Sequence, residues 1–138
     1  NYAYIDGSFN PFTKVYGGGG ILVDQFGNKH ILFESGNNPK LAEMRNVAGE
    51  ILGARLVIRK ALELGMGKLS IFHDYEGISK WPTGKWRCKK KETKDYAQFV
   101  IAAIGSGLKI YWHHVKGHSG VRENEEVDKL AKMVVGVK

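Results

Sequence analysis

Asp6 sits inside the apolar run Tyr2–Ser8, between Ile5 and Gly7, where an ordinary strand would carry a core residue. Asp74 closes a second apolar run, Leu69–Phe72. Glu50 falls about 60° from the centre of a helical stripe made by Val47, Ile51 and Ala54, so its carboxylate emerges at the edge of a buried face. Asp128 borders the apolar stripe of the last helix, one turn after Asn124 and on the same side. Acids at core edges are costly to desolvate unless something positive pairs with them. A divalent cation does that, and ligands that are all oxygen favour Mg²⁺ or Mn²⁺ over zinc. Several carboxylates around two such ions would stabilise the attacking and leaving oxygens of a phosphoryl displacement. Each acid taken alone has an ordinary alternative: Asp6 with a buried Lys or Arg, Glu50 with Arg45 or Arg55, Asp128 with Lys132 at i+4. Spacing alone does not bring the four together.

Positioning these acids takes a folded core, and 138 residues suffice for one domain with a real interior. Apolar residues at 43% and charged residues at 25% match an ordinary globular protein. No apolar stretch approaches the roughly 20 residues of a membrane-spanning helix. The first residues lack the basic and apolar regions of a signal peptide. The chain starts at once on a core-like strand with no Met, so an excised domain or processed fragment is expected. One cysteine, Cys88, excludes an internal disulfide and a cysteine-based zinc site, and suits a reducing compartment. The net charge of +7 favours a polyanionic partner, nucleic acid above all; the alternative is a basic surface kept for solubility.

Residue patterns predict the order βββαβ, helices, βα. The first strand is Tyr2–Ser8, the second Tyr16–Val23, and a hairpin turn at 25–28 leads to the third, Lys29–Ser35. The Gly17–Gly20 run lacks the Gly-Lys-Ser/Thr and the helix of a phosphate loop, so it reads as a strand where backbones approach closely. A helix spans Leu41 to Leu64, stopped by Gly65 and Gly67, and Lys68–His73 is the fourth strand. A short helical piece ends near Pro82. Thr93 caps another helix to about Gly105, with Tyr96, Phe99, Val100 and Ala103 inward. Lys109–His114 is the fifth strand, in which His113 and His114 read as structural. The last helix, Arg122–Val135, buries Val127, Leu130, Ala131 and Val134. Three meandering strands and then two αβ additions predict an α/β fold, with a mixed five-stranded sheet flanked by helices.

Taken together, the local motifs resemble ribonuclease H of the type-1 class, most closely its branch associated with viroplasmin-like domains. The resemblance runs from Tyr4-Ile5-Asp6-Gly7-Ser8 to Val127-Asp128-Lys129-Leu130-Ala131. Its most specific piece is Val115-Lys116-Gly117-His118-Ser119-Gly120, followed by Glu123-Asn124-Glu125 and then Asp128. It implies a ribonuclease H-like fold over 1–138 as a single catalytic domain, with Asp6, Glu50, Asp74 and Asp128 as the metal-binding acids. It implies His118, on a glycine-flanked loop, as an aid to proton transfer or product release. It also implies two Mg²⁺ ions, replaceable by Mn²⁺, and cleavage of the RNA strand of an RNA/DNA hybrid to 5′-phosphate and 3′-hydroxyl ends. Asp74-Tyr75-Glu76 departs from the commoner Asp-Ser-Gln, and a carboxylate at 76 would repel phosphate or add to the charge of the metal site. The stretch 44–50 lacks the usual paired asparagines and keeps Asn46 as a reader of the substrate.

Between Lys80 and Lys94 stand seven cations against one acid, Glu92, with Trp81 and Trp86 interleaved. Lys85, Lys89 and Lys90 in this cluster are expected to neutralise phosphates without sequence preference. The tryptophans either stack on sugars or anchor the segment, Trp81 being the more buried. By resemblance the segment is a protrusion that grips the DNA strand, with Asn124 beside the acids. Gly7, Ser8 and Asn46 are then readers of the 2′-hydroxyl that separates RNA from DNA. A cytoplasmic monomer with no membrane contact is expected, with a hybrid-binding domain ahead of Asn1 in a longer protein.

Overall fold

The computed structural model describes residues 1–115 and 122–136. Its sheet contains β1 (Tyr2–Asn10), β2 (Val15–Val23), β3 (Lys29–Gly36), β4 (Lys68–His73) and β5 (Lys109–His114), in the spatial order β3-β2-β1-β4-β5. The first three strands pair antiparallel, while β4 joins β1 and β5 joins β4 in parallel. The mixed sheet expected from the strand order is therefore the one formed.

Strand alternation sends Ala3 and Ile5 into the core and leaves Tyr2, Tyr4 and Asp6 half-buried on the opposite face. Two helices cover the sheet. Helix α2 (Asn46–Glu63) buries Ala48, Ile51, Ala54, Val57, Ile58 and Ala61 against the core face. Helix α5 (Arg122–Val134) packs on the other face over β1 and β2. The glycine run of β2 permits both approaches. A Cβ on Gly18 or Gly20 would press into α2 at Gly53 or Val57, and one on Gly17 or Gly19 into α5 at Val134 or Val127. Side chains at those four positions would push both helices outward.

The predicted helix from Leu41 to Leu64 is instead two pieces, α1 (Pro39–Ala42) and α2. Asn38 caps α1 with its side chain, and Arg45 then takes φ 55°, a left-handed value that breaks the helix. The Arg45 guanidinium lies 4.9 Å over the Phe9 ring, a tertiary contact made at the break. Between β4 and β5 lie α3 (Gly77–Lys80) and α4 (Lys91–Gly105). Thr93 is not the N-cap of α4. It stands three residues after Lys90, and its hydroxyl accepts the Lys90 N–H at 3.3 Å and donates to the Lys90 carbonyl at 2.9 Å. In α5 the buried line is Asn124, Val127 and Ala131, continued by Val135; Leu130 and Val134 are only half-buried. That line is the one facing the glycines of β2, where the helix comes closest.

Candidate active site

Asp6 reaches the site from the α5 face of β1, Asp74 from the turn after β4, Glu50 from the first turns of α2 and Asp128 from α5. The approach of α2 to β1 sets the position of Glu50. A Cβ on Gly7 would collide with the Glu50 amide nitrogen and the Asn46 carbonyl, and one on Gly49 would strike the Gly17 carbonyl. Only glycine at both positions lets the helix seat its first turns this deeply.

Asp6, Gly7, Ser8, Asn46, Asp74, Asn124, Glu125, Asp128, Lys129 and Lys132 line one cavity of about 430 Å³. A second groove, about 310 Å³, is lined by Asn46, Val47, Glu50, Asp74, Tyr75, Glu76 and Trp86. Asp74 and Asn46 border both, so Glu50 lies next to the three aspartates across a shared wall.

The electrostatics follow from burial. Loss of water raises the Asp6 carboxyl above the usual carboxylate range, and a hydrogen bond shared with Asp128 raises it further. The Gly7 N–H, donated to Oδ1 at 2.9 Å, opposes this only in part. Glu50 is 5% exposed, and burial pushes its carboxyl up to about 7. That happens although the Tyr75 and Asp74 amides donate to its Oε1 at 3.0 and 2.9 Å. Asp128 is turned to Lys132 Nζ at 3.0 Å, the alternative pairing open from sequence. Glu50 makes neither of its candidate pairs, because Arg55 lies over Phe99 and Arg45 over Phe9.

The donor set is made of oxygens, and two of its carboxyls are held near neutrality by desolvation, which fits a hard divalent cation. Among the described residues, however, no three His, Cys, Asp or Glu side chains already stand as a metal-ligand set. Asp128 is paired with Lys132, and Glu50 accepts from two backbone amides.

The RNase H family model matches residues 1–135. The chain belongs to the RNase H family. The human protein named Ribonuclease H1 is 34% identical over 97 residues, 63% of this chain and 34% of that protein. A Ribonuclease H of Brucella ovis is 29% identical over 138 residues, covering 94% of this chain and 86% of the relative. The match to a Ribonuclease H of Legionella pneumophila (strain Corby), at 42% identity, spans 42% of each protein, so several relatives are matched over well under half their length. The fold agrees with the crystal structure of RNase H1 from Halobacterium salinarum NRC-1 at a TM-score of 0.79, with 18% identity over 98% of this chain and 96% of that one. The N-terminal RNase H domain of a Mycobacterium tuberculosis protein gives 0.75, at 16% identity over 98% and 94%.

The remaining candidates separate into groups within this RNase H frame. Gly7, Ser8, Asn46 and Asn124 share the acid cavity. Trp86 joins Glu50 in the second groove, whereas Trp81, Lys89 and Lys90 line a third with Met44, Val47, Arg87 and Thr93. Both tryptophans are half-buried. Trp81 packs against the main core and touches Tyr75 at 5.6 Å and Trp86 at 6.0 Å between ring centroids. Lys85 is exposed and lines none of these three grooves. His118 falls at 116–121, outside the described residues. Glu76 is exposed and paired with Lys80 at 3.3 Å, so it borders the Glu50 groove with a cation of its own.

Sequence reasoning passed over Glu125, Lys129 and Lys132 as cavity residues. With Asn124 and Asp128 they fall at i, i+1, i+4, i+5 and i+8, one face of a helix, which was the available signal. It also passed over His73 and over Gly49, whose close approach to the Gly17 carbonyl is distant in sequence.

Proposed function

We propose that this chain is a ribonuclease H that hydrolyses the RNA strand of RNA/DNA hybrids with the aid of divalent cations. The observation that supports it most is the meeting of Asp6, Asp74 and Asp128 around one cavity, with Glu50 buried beside them, in a chain of the RNase H family.

Asp6, Glu50, Asp74 and Asp128 would hold two Mg²⁺ ions, or Mn²⁺ in their place. When bound, such ions supply a more acidic water and charge neutralisation at the scissile phosphate. The residues of this chain do the rest. Desolvation of Asp6 and Glu50 leaves carboxyls that gain by meeting a cation instead of holding a proton. The Gly7 and Ser8 main chain and the Asn46 side chain line the cavity where a ribose 2′-hydroxyl would be read. Lys89 and Lys90, exposed beside Trp81, would neutralise phosphates of the DNA strand, and Lys85 would act from the same segment. Trp86 and Asn124 complete the contacts to the hybrid. Products are a 5′-phosphate and a 3′-hydroxyl, with His118 assisting proton transfer or release.

Incubation with Mg²⁺ and a labelled RNA/DNA hybrid, beside duplex RNA and duplex DNA, tests this reading. Cleavage confined to the RNA of the hybrid, and abolished in Asp74→Asn, is the expected result. Binding without cleavage would leave a hybrid-binding module. Equal cutting of duplex DNA would contradict the substrate assignment.

A further inference from the structure

His73, the last residue of β4, is fully buried, a rare place for a polar ring that the proposed chemistry does not use. Its ring lies edge-on to Trp112, with centroids 5.9 Å apart and planes at 80°. Nδ1 is 3.0 Å from the Tyr75 carbonyl oxygen. A carbonyl can only accept, so Nδ1 carries the hydrogen and Nε2 is the bare nitrogen. Among the described residues Nε2 has no hydrogen-bond partner. A phenylalanine would fill the same slot against Trp112 without burying an unsatisfied nitrogen. What histidine adds is the Nδ1–H donor.

That donor acts on the turn carrying the site. Tyr75 is held at its carbonyl by His73 and at its N–H by Glu50 Oε1, 3.0 Å away. The Asp74 N–H donates to the same Glu50 oxygen at 2.9 Å, which places Asp74 inside this bracket. The His73 main-chain carbonyl accepts the Val115 N–H at 2.8 Å, so the base of the bracket is tied to the end of β5. We propose that His73 is a positioning residue whose Nδ1–H clamps the Tyr75 carbonyl, fixing both the amides that hold Glu50 and the placement of Asp74. The inference rests on the reading of Glu50 and Asp74 as a divalent-cation site, and it adds the residue that keeps them in register.

Two variants separate donor from volume. His73→Phe keeps the volume and loses the donor. His73→Asn loses volume but keeps a donor, because its Nδ2 lies the same number of bonds from the backbone as His Nδ1. The measurements are amide hydrogen exchange at Asp74 and Tyr75, recorded by NMR without metal or substrate, and Mg²⁺ affinity by calorimetry. In His73→Phe both amides should exchange about tenfold faster or more, and Mg²⁺ affinity should fall on the order of tenfold, with Tm little changed. In His73→Asn, Tm should fall while amide protection and Mg²⁺ affinity stay within about threefold of wild type. A His73→Phe protein that keeps both properties overturns the proposal, as does a His73→Asn protein that loses both. Wild-type protein that fails to cut the hybrid would overturn the reading of the site instead. The exchange comparison needs neither ion nor hybrid, and it judges His73 alone.

Discussion

On one side of Tyr75 the carboxylates are held by the fold: Glu50 by two amides and by burial, and the half-buried Asp6 by the Gly7 N–H. On the other side, from Lys85 to Lys91, the cations project into solvent, and the segment is anchored through Trp86, which packs on Tyr75 and Trp81. Tyr75 joins the two, touching Trp81 at 5.6 Å and Trp86 at 5.9 Å between centroids. The difference is one of task. Charges that must stabilise a transition state need fixed positions, because reorganisation at the moment of reaction would cost rate. Charges that only neutralise a backbone can stay mobile and hydrated, since attraction to phosphate tolerates loose geometry.

Three variants probe this contrast. The largest effect belongs to the buried side. On the proposed function Asp6→Asn removes a carboxylate assigned to ion binding, a loss of about 4 kcal/mol of transition-state stabilisation, so kcat on the hybrid should fall about 1000-fold. A loss below tenfold would show that Asp6 is no closer to the chemistry than the lysines. Next comes the seat of α2. Gly49→Ala drives a methyl into the Gly17 carbonyl and should destabilise by about 3 kcal/mol in denaturant titrations, with activity lost alongside. Unchanged stability there would mean the helix can retreat without harm. The smallest effect belongs to the exposed side. Lys89→Ala with Lys90→Ala should leave stability within about 0.5 kcal/mol, raise KM several-fold and flatten the salt dependence of binding. A fall in kcat at saturating hybrid would contradict the division of labour.

The buried side also carries a signature in pH. With its folded value near 7, Glu50 stabilises the ion-free protein fully below about pH 4, where folded and unfolded chains both hold its proton. That contribution is lost as pH rises from about 4 through 7, because over this range the unfolded chain ionises while the folded one still holds the proton. In EDTA the Tm of Glu50→Gln should therefore match wild type near pH 4, exceed it increasingly toward pH 7 and level off above. A gap that stays constant with pH would mean Glu50 is not held in a desolvated site.

Much of the frame was legible beforehand because its causes are local. Short apolar runs bounded by turn residues marked the strands, and the Val47, Ile51, Ala54 stripe marked α2. The glycine run read as a place of close approach, and it proved to lie between two helices. The break at Arg45 was not legible. Met44 and Arg45 both favour helix, and nothing local marks the positive φ of Arg45, whose guanidinium lies over Phe9, distant in sequence. Leu130 and Val134 fit an apolar stripe equally well, but only the line toward the glycines is fully covered. For the site, Asp6 and Asp74 were conspicuous as acids within or closing apolar strands. Their meeting with Glu50 and Asp128 followed from the family resemblance, because spacing cannot reveal which elements touch. His73 was silent for the same reason: its value depends on a turn and a helix folded against it.

The central claim is that the four carboxylates act together, through divalent cations, on a hybrid. Its most direct test is the Mg²⁺ dependence of hybrid cleavage by wild-type protein and by Asp6→Asn, Glu50→Gln, Asp74→Asn and Asp128→Asn, each checked for folding. Cleavage by wild type should require Mg²⁺ and be restored by Mn²⁺ after EDTA, with every variant impaired at Mg²⁺ levels that saturate wild type. Cleavage that persists in EDTA, or a folded variant of any of the four that cuts at the wild-type rate, would contradict it.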